Sequence, residues 1–207
     1  MKLHFVDTND VMIECLKNRF GEQAQYTLGK FEDVKKYDAV VSPGNSFGIM
    51  DGGFDLALRD FFGQKLQDDV QRAIRSKHFG EQPVGTALIV PTGKKKHPWL
   101  VHAPTMSLPQ IIATTHNVYF AMLAVLHACE RHNHLASFKP DGFKAIKTLL
   151  CPGLGTSTGK MLPAAAALQM SLAWNNFAWI KKSPKRSWDD FKPPAAEEKK
   201  ESANGSV

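Results

Sequence analysis

Apolar and polar positions alternate over residues 2–6 and stop at Asp7, the pattern of a half-buried strand. Asn9 and Asp10 then offer a helix cap, and Val11, Ile13, Leu16 and Phe20 recur at helical spacing until Gly21 closes the run. Short strands are predicted at 24–28 and 38–42. A glycine-rich loop from Pro43 to Gly53 leads into helices over 54–62 and 66–78, the second with Leu66, Val70 and Ile74 on one face and Gly80 just beyond its end. Residues 86–90 and 99–102 read as two strands that pair across the turn Thr92–Lys96. An apolar helix over 115–132, a strand over 146–151, a second glycine-rich loop at Pro152–Gly159 and a last helix reaching Ile180 complete the pattern. Strands interleaved with helices in an order beginning βαββ predict an α/β protein, a three-layer α/β/α sandwich with a mixed central sheet.

Composition fits that picture. The chain has 207 residues, 43% hydrophobic and 22% charged, which excludes collagen-like, coiled-coil and mostly disordered chains. One domain over 1–180 with a largely disordered tail over 181–207 is expected, because Pro, Lys, Glu, Ser and Ala dominate from Lys181 onward. Trp188 and Phe191 are the tail residues able to dock back on the body. The formal net charge of +6 suits an anionic ligand but is too diffuse to argue for nucleic acid alone. Three cysteines without a Cys-x-x-Cys spacing signal neither a disulfide framework nor a zinc site. No signal peptide or membrane-spanning run is evident, so a monomeric cytoplasmic or nuclear protein without membrane contact is expected.

The two glycine-rich loops carry the chemistry. Each follows a predicted strand and leads toward a helix, where an α/β sheet forms its ligand crevice and glycines let backbone N–H groups approach phosphate oxygens. Residues 153–159, Gly-Leu-Gly-Thr-Ser-Thr-Gly, supply donors and no carboxylate, as a diphosphate requires. The first loop contains Gly44-Asn45-Ser46-Phe47-Gly48, a literal match to the nucleophile elbow. That elbow turns from strand to helix at its serine, whereas here Asp51, Gly52 and Gly53 intervene before any helix, so a serine hydrolase is set aside.

The strand-ending Val40-Val41-Ser42-Pro43-Gly44-Asn45, then Gly52-Gly53-Phe54-Asp55, resembles the macro domain pattern, and 154–159 resembles that family's second phosphate loop. The resemblance covers roughly residues 1–180. It implies the macro domain fold and binding of ADP-ribose or an ADP-ribosyl group on a protein or nucleic acid, with no metal and no cofactor. By that resemblance Asn45 reaches the distal ribose, Gly52 and Gly53 meet the phosphates and ribose, and Asp55 stands where hydrolytic members place a water-activating aspartate. Gly153, Leu154, Gly155, Thr156, Ser157, Thr158 and Gly159 are implied to wrap the diphosphate, with Gly155 the point at which an added carboxylate would block it. Ser42 and Pro43 depart from the family's Asn-Ala, Asp51 from its glycine, and Lys160 and Met161 stand where an aromatic often closes the loop.

Several roles stay open at this stage. Asp7 is either an adenine acceptor, replacing the family's Gly-Asp pair that reads Gly29-Lys30 here, or a helix cap. Phe47 is either a stacking face or a small core anchor, and His102 either a core histidine or a pocket wall. His132-Asn133-His134 suits a helix end rather than a metal, and Lys94-Lys95-Lys96 a solvated turn. Hydrolysis of an ADP-ribosyl linkage, ADP-ribose 1″-phosphate phosphatase activity, non-catalytic reading of ADP-ribose, and nucleic-acid binding through the basic surface are the competing functions.

Overall fold

The structure, a computed structural model, describes residues 1–138 and 143–182. Six strands, β1 (Lys2–Asp7), β2 (Ala24–Leu28), β3 (Ala39–Ser42), β4 (Leu88–Pro91), β5 (Trp99–His102) and β6 (Thr148–Cys151), form one sheet in the order β2-β1-β6-β3-β5-β4. All neighbours are parallel except β4, which pairs antiparallel with β5 at one edge. The sheet is therefore mixed, as expected, and the 86–90 and 99–102 stretches do pair.

Alternation sorts the strand side chains onto two faces. Leu3, Phe5, Ala39, Val41, Val101, Leu149 and Cys151 face one core, with α1 (Asp10–Phe20), α4 (Asn117–Phe138) and α5 (Pro163–Lys182) packed on it. Val6, Val40, Leu100 and Leu150 face the other, covered by α2 (Gly53–Phe62) and α3 (Gln64–His78). Three layers result. The five parallel strands end together, so the loops following β1, β3, β5 and β6 meet at one end of the sheet.

Helix α4 runs six residues past the expected end at 132, since no glycine or proline interrupts it. Its last turns are tied to the sheet by Asn133, whose amide donates to Ile146 O (2.8 Å) and accepts from Ile146 N–H (2.7 Å). His132 Nε2 lies 3.0 Å from Lys144 O. Helix α5 reaches Lys182; residues 183–207, with Trp188 and Phe191, lie outside the described residues. No described helix is long and apolar enough to cross a membrane.

Candidate functional site

The loop after β3 is built around Asn45. Its Oδ1 accepts from the N–H groups of Phe47 (3.1 Å) and Ile49 (3.2 Å), and its Nδ2 donates to Ile49 O (2.9 Å). Asn45 thus folds its own loop into a compact turn while lining the crevice, and one amide proton stays uncommitted. Gly48 sits at φ +65° directly over α3, where a Cβ would come within 2.8 Å of Val70 Cγ1 and 2.9 Å of Ile74 Cδ1. Only glycine fits there. Ser46 is buried and donates to Met106 O (3.3 Å), and among the described residues its hydroxyl bonds to no imidazole or carboxylate, which agrees with setting the elbow motif aside.

Helix α2 begins without a side-chain cap. Leu56 N–H, bonded to Gly52 O (3.2 Å), is the first amide of the helix to find a partner, so the amides of Gly53, Phe54 and Asp55 carry none among the described residues. These free donors and the helix dipole make an anion site. Opposite them, the amides of Gly155, Thr156, Ser157 and Thr158 are likewise without intramolecular partners among the described residues. The two loops close to near contact where a Cβ on Gly53 would lie 3.5 Å from Ser157 Oγ. Beside them lie two adjoining cavities of about 110 and 400 Å³, sharing Gly53, Phe54, Gly153 and Ser157. A crevice of that size suits one small ligand.

Asp55, in the first turn of α2, is 8% exposed and its Oδ1 accepts from the Ser42 hydroxyl at 2.8 Å. Burial pushes its carboxyl up to about 7, and the Ser42 hydrogen bond pulls partly back. Gly44 makes room for this group: a Cβ there would stand 2.3 Å from Asp55 Oδ2 and 3.2 Å from His102 Nε2. His102 Nδ1 lies 2.8 Å from Gln82 Oε1, while Gln82 Nε2 donates to Thr86 O and His102 O. The glutamine oxygen therefore faces the imidazole, which puts the proton on Nδ1 and leaves Nε2 a buried acceptor without a partner. Burial lowers His102 to about 4, so the ring is neutral at pH 7. It is the core histidine beneath the crevice floor, not part of its lining.

Residues 2–185 match the Macro-like domain family. The chain belongs to that family. Among its relatives, an uncharacterized protein of Aquifex aeolicus is 28% identical over 134 residues, 64% of this chain and 70% of the relative. Another, from Aeropyrum pernix, is 27% identical over 147 residues, 71% of this chain and 68% of the relative. Similar solved structures include the macrodomain of Mycobacterium tuberculosis DarG (TM-score 0.58, 16% identity, 73% of this chain and 89% of that one). The macrodomain of Thermus aquaticus DarG is also similar (0.57, 14%, 84% and 90%). So is an Oceanobacillus iheyensis macrodomain variant solved with ADPR (0.50, 18%, 69% and 73%). At these identities the structures establish the fold.

Within the macro domain fold, most of the expected residues converge. Asn45, Gly52, Gly53, Asp55, Gly153, Gly155, Ser157, Thr158 and Gly159 line the smaller cavity, and Asp7, Gly53, Gly153, Thr156 and Ser157 the larger. Two do not. Phe47 lies in a shallow depression with Gln71, Arg75 and Leu108, turned away because Asn45 coils the loop outward. Leu154 is fully buried in the core against α4 and α5, so only its neighbours' backbone faces the crevice.

Two further roles change. Asp7 does not cap α1: Asn9 does, accepting from Met12 N–H at 3.2 Å. Asp7 instead accepts from Asn9 N–H (2.9 Å) and Gly153 N–H (3.0 Å), which pins the second loop to the end of β1. Gly155, at φ +71°, points its missing Cβ at Val118 (2.8 Å) and Ile112 (3.0 Å) rather than at the crevice. A side chain there would break the loop before it met a ligand. Gly52 is the open position, with nothing within 4 Å of its Cβ direction.

Sequence reasoning missed Thr105, Met106 and Pro109, which line the crevice from the segment after β5. Thr105 donates to Pro43 O (3.0 Å) and its N–H to Gly44 O (3.1 Å), coupling that segment to the first loop. The Pro104-Thr105 pair after a strand was the signal available. Phe31, Glu32 and Phe54, at the larger cavity, were also missed. The described residues contain no group of three or more His, Cys, Asp or Glu placed to hold a metal ion.

Proposed function

We propose that this macro domain binds ADP-ribose or the ADP-ribosyl group of a modified macromolecule and hydrolyses the linkage at its distal ribose. The observation that carries the reading is the pair of amide rows without partners among the described residues, at the start of α2 and over 155–158, beside two adjoining cavities that share Gly53, Phe54, Gly153 and Ser157. A diphosphate between them accepts from both rows. Two phosphates in one place demand many donors; the second loop offers amides and hydroxyls only, while the carboxyls of Asp51 and Asp55 line the smaller cavity and those of Asp7 and Glu32 the larger.

The larger cavity then takes the adenosine. Val6, Phe31, Phe54 and Ala57 give it apolar walls, while Asp7 and Glu32 supply acceptors. Each Asp7 oxygen, already holding one backbone N–H, keeps a second lone pair for an adenine amino group. The smaller cavity takes the distal ribose beside Asn45, Gly52 and Asp55. Binding of ADPR by the Oceanobacillus iheyensis macrodomain supports this ligand.

For hydrolysis, Asp55 removes a proton from a water that attacks the anomeric carbon, and the bond to the leaving group breaks as the water oxygen adds. A carboxyl held near 7 is well matched to a base that operates at neutral pH. The Ser42 hydroxyl fixes Oδ1 and leaves Oδ2 toward Gly44. Turnover of a mono-ADP-ribosylated protein by wild type and Asp55→Ala tests the assignment. Loss of most turnover in the variant, with ADP-ribose affinity kept within about threefold, supports the base role. A wild type that binds ADP-ribose but releases none from ester-, amide- and phosphate-linked substrates is a reader. The reader alternative is favoured by one feature, the Asn45 amide, whose oxygen and one of whose two protons are committed to its own loop.

A further inference from the structure

The opposite end of the sheet, where β3, β5 and β6 begin, holds a groove of about 600 Å³ lined by Lys35, Lys36, Lys95, Lys96 and Lys144 around Tyr37, Asp38 and Thr148. Three chain segments far apart in sequence meet there, and the contacts that join them are specific. His97 stacks on Tyr37 with ring centroids 3.8 Å apart, and its Nδ1 lies 3.2 Å from Tyr37 O, which locks the 94–97 turn to the segment before β3. The turn itself is closed by Thr92 Oγ1, which donates to His97 O and accepts from Lys94 N–H at 3.1 Å. Asp38 binds the third segment: its Oδ2 accepts from the N–H groups of Lys147 and Thr148, both at 2.9 Å, and its Oδ1 pairs with Lys144 Nζ at 3.2 Å. The lysines therefore project from a rigid base.

The one carboxylate in the groove is already occupied. Lys35, Lys36, Lys95 and Lys96 are exposed and enter no ion pair among the described residues. Outside the groove, Lys65 pairs with Asp69 and Lys181 with Glu130. Concentrated, uncompensated charge of one sign costs stability through self-repulsion and is relieved by a polyanion.

We propose that this groove binds the phosphodiester backbone of a nucleic acid, without reading its sequence. Protein partners are gripped by central aromatic, methionine or arginine anchors, and membranes by apolar side chains that insert beside the cations. The lining has no exposed residue of either kind; Tyr37 is 3% exposed and packed under His97. Lysine ammonium groups are point charges suited to phosphate, and the absence of arginine and of free aromatic faces from the lining removes the usual means of reading or stacking bases. The groove lies at the far end of the parallel strands from the crevice, so both can be filled at once, and the proposal stands independently of the ADP-ribose reading.

The test is fluorescence anisotropy of the full chain with a labelled mixed-sequence oligonucleotide, single- and double-stranded, between about 50 and 200 mM salt. Wild type should bind one or both forms with affinity falling as salt rises. The quadruple variant Lys35→Gln, Lys36→Gln, Lys95→Gln, Lys96→Gln should bind at least about tenfold more weakly and flatten the log–log salt slope by about 3, at about 0.7 to 0.9 for each phosphate no longer neutralised. Its circular dichroism spectrum and thermal unfolding midpoint should match wild type, which certifies the fold. The double variant Lys65→Gln, Lys77→Gln should bind nucleic acid like wild type. No binding by wild type at the lowest salt overturns the proposal, as does an unchanged slope in the quadruple variant. Displacement of the oligonucleotide by equal phosphate-free charge as polyglutamate, or by phosphatidylserine vesicles, at matching concentrations also overturns it, in favour of a protein or membrane partner.

Discussion

The buried carboxyl of Asp55 should make the stability of this protein fall with rising pH in a way that one substitution removes. Its ordinary value is 3.8 and burial raises it to about 7. A carboxyl with a folded-state value above its unfolded one binds its proton more tightly when folded, so its stabilising contribution is complete below 3.8 and is lost as pH climbs through 7. Roughly three pH units at about 1.4 kcal/mol each amount to about 4 kcal/mol, an upper figure for the penalty of ionising Asp55 in place. Asp55→Asn keeps the shape and cannot ionise. Urea denaturation of both proteins at pH 4 and pH 8 isolates the effect, because other titrations cancel in the difference. The variant should gain on wild type between the two pH values by about 2–4 kcal/mol. Turnover, if Asp55 is the base, should rise over the same interval as the carboxylate forms. A stability difference that stays the same at both pH values would refute the reasoning, since it would mean that Asp55 titrates as an exposed acid.

Three further outcomes follow from the packing. Gly48→Ala, forced to φ +65° against Val70 and Ile74, should lower stability by about 1–3 kcal/mol in the same assay. Gly52→Ala, with open space around it, should change stability by less than about 0.5 kcal/mol. Asp38→Ala, by stranding the amides of Lys147 and Thr148 and freeing Lys144, should cost about 1–3 kcal/mol, read by thermal or chemical denaturation.

Much of this fold was legible because burial imposes period-two patterning on strands. Val40 and Val41 are apolar for different reasons, one facing each helical layer, and a continuous apolar run of that length marks a strand buried on both faces. The loops were legible as a pair: either alone reads equally as a tight turn with a helix cap, but two glycine-rich loops that each follow a strand and lead toward a helix mark a ligand crevice. What the sequence hid depends on distant contacts. Asp7 meets Gly153 across 146 positions, so neither its loop-pinning role nor its freedom from capping could be read locally. Gly155 does line the smaller cavity, but an added side chain there would meet Val118 and Ile112 rather than a ligand, which follows from its φ and the fold around it. Phe47 failed for the same reason: the direction of a loop side chain is set by the turn that Asn45 ties, which periodicity does not encode. The lysine groove was invisible because its cations come from three segments, each alone an ordinary solvated stretch.

The central claim is that the two amide rows hold a diphosphate in one crevice, and titration calorimetry with ADP-ribose on wild type and Gly52→Glu tests it most directly. Gly52 lines the smaller cavity and caps α2 in extended backbone with nothing within 4 Å of its Cβ direction, so the glutamate enters without strain and adds a negative charge beside the amides that begin the helix. Wild type should bind with micromolar affinity, about −8 kcal/mol, and Gly52→Glu should bind at least about a hundredfold more weakly, close to ~3 kcal/mol, while unfolding at the wild-type temperature. Equal affinity in the two proteins, or no heat of binding from a folded wild type, would contradict the account.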